Sequence, residues 1–254
     1  MIDLLPIALF FLAALLFTSV GHGGASGYLA VMGLLAFAPS MMRSTSLSLN
    51  IAAASIALGI FYTRGALNGS LQTRSFLSRL GPFLITSLPM SYLGGQLSLP
   101  GGVHKAIVGA VLLWAAWQLF KPSPRVDSST TPSQHNPWWV WPAGLLIGFV
   151  SGLTGVGGGI FLSPLLVLSG LCTVRQSAPL SAAFILLNSI TGLLGVLKGS
   201  ASLAPQLPYW IAAVAVAAVL GASWGSKTLH TLWLRRVLAV VLLIAGAKLM
   251  SAIV

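Results

Sequence analysis

Uncharged apolar stretches and short polar interruptions alternate along the whole chain. Residues 4–42 carry no Lys, Arg, Asp or Glu. That is too long for one membrane helix of ~20 residues and short for two full spans with a turn. The run Gly21-His22-Gly23-Gly24 divides it, because glycine costs about 1 kcal/mol against alanine in a helix interior. Two short helices are predicted, 4–20 and 25–38, with Pro39 closing the second. Arg43 then opens a clean span over 44–63, closed by Arg64. A polar loop carrying Asn68, Gln72, Arg74 and Arg79 leads into a span over 81–99, where Gly94-Gly95 allows close packing. Pro100-Gly101-Gly102 turns the chain into a span over 106–120, with His104 and Lys105 at the membrane interface.

Residues 121–137, KPSPRVDSSTTPSQHNP, read as an exposed flexible linker. Trp138, Trp139 and Trp141 follow as an interfacial aromatic belt. Then the pattern returns. Residues 138–174 are uncharged and broken by Thr154-Gly155-Val156-Gly157-Gly158-Gly159. Arg175 opens a span over 176–197, closed by Lys198. Spans over 209–226 and 237–254 flank a basic turn with Lys227, His230, Arg235 and Arg236.

Sliding the chain by 133–134 residues lays Gly23-Gly24 on Gly157-Gly158, Leu47-Ser48 on Leu180-Ser181 and Gly59 on Gly192. This is an internal repeat. Each copy holds a Gly-broken hairpin and three spans. The hairpin adds no net crossing, so each copy crosses an odd number of times and the two copies are inverted. The predicted fold is an all-α polytopic membrane protein with two inverted-topology repeats. Its segments are a membrane repeat over 1–120, the linker over 121–137 and a second membrane repeat over 138–254.

Composition fits this reading. The chain is 56% hydrophobic and 6% charged, against about 25% charged in soluble domains. Only Asp3 and Asp127 are acidic, against 13 Lys and Arg. No polybasic run exists, so no nucleic-acid partner is expected; the bases at segment ends act as topology signals. With the N-terminus on one side, Arg43, Lys105, Lys198 and Lys248 share that side and nine bases face the other. The positive-inside rule then places the linker in the cytoplasm and both termini outside the cell (inner) membrane. Residues 4–19 follow Asp3 without a preceding base, so they read as a retained segment rather than a signal peptide. The single cysteine, Cys172, excludes an intrachain disulfide and a cysteine-based metal cluster. No cofactor or metal is predicted. The expected partners are the lipid bilayer and a small anion. Oligomeric state stays open, a homo-oligomer included.

The glycine breaks are the first candidates for chemistry. A helix that starts after a break presents unpaired N–H groups and the positive end of its dipole. Two such ends facing each other would hold an oxyanion near mid-membrane. The first is marked by His22, Gly23 and Gly24, the second by Gly157, Gly158 and Gly159. Close helix packing through small residues is the alternative use. Thr45, Ser46 and Asn50 in one copy, and Ser177, Ser181 and Asn188 in the other, offer hydroxyl and amide donors. Ser46 with Asn50, and Ser177 with Ser181, share a helix face. They serve either an anion or interhelical hydrogen bonds. Arg43 and Arg175 open equivalent spans, either drawing anions into vestibules or snorkelling to headgroups. His22 either senses or carries a proton or packs as a hydrogen-bonded histidine. No carboxylate lies inside a span, so an Asp/Glu proton relay is absent. An interior-negative potential of 100 mV contributes ~2.3 kcal/mol per charge, enough to drive electrogenic efflux of a monoanion.

Two further classes are open. Gly24-Ala25-Ser26-Gly27 matches the GxSG string of intramembrane serine proteases, which need a histidine within reach of Ser26. The repeat offers Ile160 in place of Ser26, so the break, rather than the serine, is the shared element, and an enzyme is not expected. A channel-like anion permease is the other alternative, with fast and barely saturating flux.

Several motifs carry a resemblance: TGVGGGIFLSPLL at 154–166, RQSAPLSAAFILLNS at 175–189, the Leu-Lys-Gly at 197–199, and GHGGASG with RSTSLSLN in the first half. On these the chain resembles the TauE/SafE family of exporters, over nearly its whole length apart from the linker. It departs where His22 enters the first run and Ala25 replaces a glycine. The resemblance implies a secondary transporter exporting sulfite or a related sulfur oxyanion or organosulfonate by alternating access, with the anion held at the broken helix ends.

Overall fold

The computed structural model describes residues 4–19, 23–63, 73–121, 137–172, 174–199, 203–225 and 231–251. Among them there are ten helices and no strand. The order is α1 Leu4–Ser19, α2 Ala25–Leu34, α3 Pro39–Thr63, α4 Thr73–Gln96, α5 Gly101–Phe120, α6 Val140–Thr154, α7 Gly159–Leu168, α8 Val174–Lys198, α9 Leu207–Gly225 and α10 Thr231–Ser251. A backbone in lipid must satisfy its own polar groups, and helices do so within each segment. α3, α5 and α8 are long and apolar enough to cross a membrane, and five shorter apolar helices accompany them. His22, linker residues 122–136 and the Arg175 side chain lie outside the described residues.

Both glycine runs interrupt helices as expected, α1 from α2 and α6 from α7. Five expectations are corrected. α10 begins at Thr231, so Arg235 and Arg236 belong to a helix and not to a turn. α2 ends at Leu34, and Pro39 does not close it but begins α3, since the fixed φ of proline suits a first helical position. α4 begins at Thr73, so Arg74 and Arg79 belong to a helix and not to a loop. α5 starts at Gly101 immediately after Pro100. His104 is not interfacial: it is 2% exposed.

Packing interleaves the two halves. α1 lies on α9, and its counterpart α6 lies on α4. α3 packs on α8 and α9, while α8 packs on α3 and α4. α5 packs on α10. When helices α1–α5 and α6–α10 are exchanged, the α1–α9 contact maps onto α6–α4 and the α3–α9 contact onto α8–α4, while α3–α8 and α5–α10 map onto themselves. Two apolar cores result. Phe10, Tyr28, Leu112, Trp210 and Leu242 belong to one, and Phe83, Ile147, Leu162 and Phe184 to the other.

Small residues bring α4, α6 and α8 together. On α6, Gly144, Gly148 and Gly152 recur every four residues along one face. A Cβ at these positions would strike, in turn, Phe83, Ser87 and Ser91 of α4. On the other side of α4, a Cβ at Gly95 would strike Gly192 of α8, and one at Gly195 would strike Tyr92. Backbone approaches backbone here, the arrangement that replaces hydrophobic driving force in a bilayer.

Candidate functional site

The break before α2 is built by Gly24. Its φ of 95 lies in the left-handed region, where a side chain is strained. A Cβ there would also meet the Tyr28 hydroxyl at 2.6 Å. Tyr28 is fully buried and donates from that hydroxyl to the Gly23 carbonyl at 3.2 Å. The first helical bond runs from Tyr28 N–H to the Gly24 carbonyl at 2.9 Å. The N–H groups of Ala25, Ser26 and Gly27 therefore have no intrahelical acceptor, and no side chain caps this end.

The second break needs three left-handed glycines, Gly155, Gly157 and Gly158, at φ 84, 76 and 81. Gly155 N–H closes α6 on the Ser151 carbonyl at 2.8 Å. α7 restarts with Phe161 and Leu162 N–H donating to the Gly158 carbonyl, both at 3.1 Å. The N–H groups of Gly159 and Ile160 have no intrahelical acceptor, and this end too lacks a side-chain cap.

The two free ends converge on Asn50 of α3, which is wholly buried. Its Nδ2 donates to the Val156 carbonyl at 3.3 Å and to Ser189 Oγ at 3.4 Å. Its Oδ1 has no hydrogen-bond partner among the described residues and faces Gly23, where a Cβ would come within 3.1 Å of it. Ile185 of α8 closes the same space, within contact of a Cβ on Gly23, Gly157 or Gly159. A cavity of about 10 Å³ lies here, walled by Gly23, Gly24, Ser26, Asn50, Val156 and Ile160 among others. It holds about one water.

Each half-helix has ten residues, about 15 Å, half of a ~30 Å hydrocarbon core. The far end of α2 receives a base: Lys248 Nζ donates to the Leu34 carbonyl at 2.6 Å. Just past the far end of α7, Arg79 acts electrostatically on Cys172.

The other predicted residues are placed differently. Arg43 is 8% exposed and encircled by carbonyls. Its Nη1 donates to Leu97 at 2.7 Å, and its Nη2 to Gly94 at 3.0 Å, to Gly95 and to Gly152 at 3.3 Å. Three of these acceptors lie at the C-terminal end of α4, where carbonyls and the helix dipole favour a cation. Ser46 Oγ donates to the Gly155 carbonyl at 2.8 Å, which ties α3 to the second break. Ser181 Oγ pairs with Ser163 Oγ of α7 at 2.6 Å. Asn188 Nδ2 turns back to the Phe184 carbonyl at 3.0 Å, and its Oδ1 has no partner among the described residues. Thr45 is buried with a hydroxyl that has no partner among the described residues, and Ser177 is buried. Thus Gly23, Gly24, Asn50 and Gly159 line the cavity and Gly157 abuts Asn50. Gly158 shapes the turn. Arg43, Thr45, Ser46, Ser177, Ser181 and Asn188 stand away from the lining.

Sequence reasoning missed Ile185, Val156, Tyr28 and Ser189. Isoleucines and valines abound in such a chain, so no signal singles out Ile185 or Val156. Tyr28 is the one tyrosine of residues 4–42, four residues after Gly24, which marks it as a partner of that turn. His104 was also missed as a buried group: neither ring nitrogen has a partner among the described residues, and Arg43 acts on it electrostatically.

The profile of the family described as Sulfite exporter TauE/SafE matches residues 6–249. The chain belongs to the TauE/SafE family. It is also 35% identical over 246 residues to a probable membrane transporter protein, y4hK, of Sinorhizobium fredii, covering 95% of each chain. No solved structure matches. Like its TauE/SafE relative, the chain is a multi-pass membrane transporter and not an enzyme. Ser26 accordingly stands in the cavity wall as a polar lining residue, without the part of a nucleophile.

Proposed function

We propose that this TauE/SafE transporter exports a small anion, sulfite or a related sulfur oxyanion or organosulfonate, by alternating access. The observation that carries the reading is the convergence of two uncapped helix N-termini on one buried cavity at Asn50. Free N–H groups and two positive dipole ends favour an anion. Among the described residues no basic side chain lines that space, so these residues hold the anion without the strong grip that would slow its release. Arg43 supports the site from outside: it locks α3 to the end of α4 and to Gly152 of α6, next to the second break.

The exchange of contacts between α1–α5 and α6–α10 favours two inverted halves. In that arrangement α2 and α7 enter from opposite faces and end at mid-depth, where transporters of this architecture bind their substrates. A space of about 10 Å³, the size of one water, is narrower than the continuous open pore of a channel-like permease, which favours a carrier. The linker would lie in the cytoplasm and both termini outside the inner membrane, with the interior-negative potential driving a monoanion outward.

The test is efflux of sulfite from proteoliposomes containing the purified protein. Saturable efflux that quickens when the interior is made negative is expected. Efflux indifferent to potential but following a pH gradient would overturn the electrogenic step. Absence of flux for every sulfur anion would overturn the substrate class.

A further inference from the structure

The donors around the cavity are joined by one group of opposite character. Asn50 Oδ1 is a hydrogen-bond acceptor, fully buried and unpartnered among the described residues, beside Gly23 in the cavity wall. The amide cannot be turned round without loss. Its Nδ2 faces the Val156 carbonyl, which accepts and never donates, so the nitrogen belongs on that side and the oxygen on the side of Gly23. A fully deprotonated oxyanion offers only acceptors. It would meet the free N–H groups of α2 and α7 well but would set an oxygen against Oδ1. A buried acceptor left unpaired, or opposed by another acceptor, is costly.

We infer that the site selects monoanions that keep one O–H, hydrogen oxyanions such as hydrogensulfite, whose O–H donates to Asn50 Oδ1 while their remaining oxygens accept from the N–H groups at the starts of α2 and α7. This rests on the anion-export reading above and deepens it: Asn50 is a specificity-determining residue. A site built to hydrogen-bond a substrate hydroxyl rejects analogues lacking it far more strongly than an apolar pocket rejects a size mismatch. Ser26 lines the same wall, and a serine hydroxyl can rotate to donate or accept, so Asn50 sets the polarity there.

Titratable groups of the protein are few near Asn50. Among the described residues the cavity lining contains none. Tyr28 of α2 turns its hydroxyl to Gly23. Arg43 lies on the same helix as Asn50, bonded to carbonyls, and His104 of α5 lies near Arg43. Of the residues outside the described set, His22 is the sequence neighbour of Gly23.

The experiment measures binding of sulfite and of methanesulfonate, a monoanion without an O–H, to the purified full-length protein. The pH runs from one unit below to one unit above the second ionisation of sulfite. Sulfite affinity should fall about tenfold in total across this range, as the hydrogensulfite fraction drops with one linked proton. Methanesulfonate should bind at least about tenfold more weakly than sulfite at the lowest pH and show no such slope. Equal affinity of the two anions at low pH, or sulfite affinity unchanged across the range, overturns the inference while leaving anion binding intact. No binding of either anion overturns the export reading itself. The series is repeated with His22→Ala: a slope that persists supports titration of the ligand, and a slope that vanishes overturns the inference. In Asn50→Ala, the preference for sulfite over methanesulfonate should collapse to within about threefold. A folded Asn50→Ala protein with the full preference overturns the assignment to Oδ1, and if that variant fails to fold the two-anion comparison on the unaltered protein decides.

Discussion

Asn50 Nδ2 donates to the Val156 carbonyl at 3.3 Å. One bond thereby joins the third helix of the first half to the helix break of the second. Asn50 also faces the break of its own half, through Gly23. A single side chain thus reports to both breaks, and the following predictions concern the parts that keep it there.

Gly24 and Tyr28 form a coupled pair. Gly24→Ala places a Cβ 2.6 Å from the Tyr28 hydroxyl and forces a left-handed residue, a strain of about 1–3 kcal/mol. Transport should be largely lost. Adding Tyr28→Phe removes the struck oxygen but keeps the ring carbon Cζ, which the same Cβ meets at 2.7 Å, so the double variant should stay close to Gly24→Ala in thermal stability. Melting of the single and double variants in detergent checks this; a double variant restored to the stability of the unaltered protein would refute the contact.

Arg43 should act as a structural clamp. Arg43→Ala leaves the carbonyls of Gly94, Leu97 and Gly152 without their donor. Hydrogen bonds to a charged group contribute about 1.5–3 kcal/mol each, and a net loss of about 2–4 kcal/mol is expected after relaxation. Arg43→Lys keeps the charge but not the planar fork and should recover only part of it. Thermal unfolding of both variants measures the difference.

Glycines divide into those that carry packing and those that do not. Gly152→Ala would drive a Cβ into the Ser91 carbonyl and should destabilise by about 1–3 kcal/mol, the usual cost of overpacking. Gly59→Ala meets nothing within 4 Å and should gain about 0.5–1 kcal/mol from helix propensity. Opposite signs in a thermal-shift assay are the expected outcome.

The hydroxyls of Ser163 and Ser181, 2.6 Å apart, should show positive coupling in a double-mutant cycle. Each single change to alanine strands a buried hydroxyl, whereas the double change removes both. A coupling of about 0.6 kcal/mol is expected, the average for interhelical hydrogen bonds in membranes. Additive single effects would mean that the two hydroxyls do not rely on each other.

A reporter fused after the C-terminus should be active only outside the cytoplasm. Lys248, in the last turn of α10, anchors the end of α2 on the side that carries fewer bases. Cytoplasmic activity of the fusion would reverse the orientation.

How much of this is legible in the chain follows from what each signal depends on. Charge-free stretches, glycine runs and proline positions act on the backbone locally, so the helical class, the membrane setting, both helix breaks and the family were readable from residues alone. Element ends were less so: the start of α4 at Thr73 lies within a stretch whose polar side chains resemble a loop, because a helix end in a polar setting need not be apolar. The roles of polar side chains were not readable at all. Thr45, Ser46, Asn50, Ser181 and Asn188 look alike as hydroxyls and amides in apolar helices. Only packing decides that Ser46 and Ser181 spend their hydroxyls on protein partners while Asn50 keeps a free oxygen at the cavity. The same holds for Arg43, which reads as an interfacial anchor until α4 and α6 bring carbonyls around it. A glycine break is a property of neighbouring residues; the meeting of two breaks, more than a hundred residues apart, depends on how the halves interleave, and that is decided by tertiary contacts.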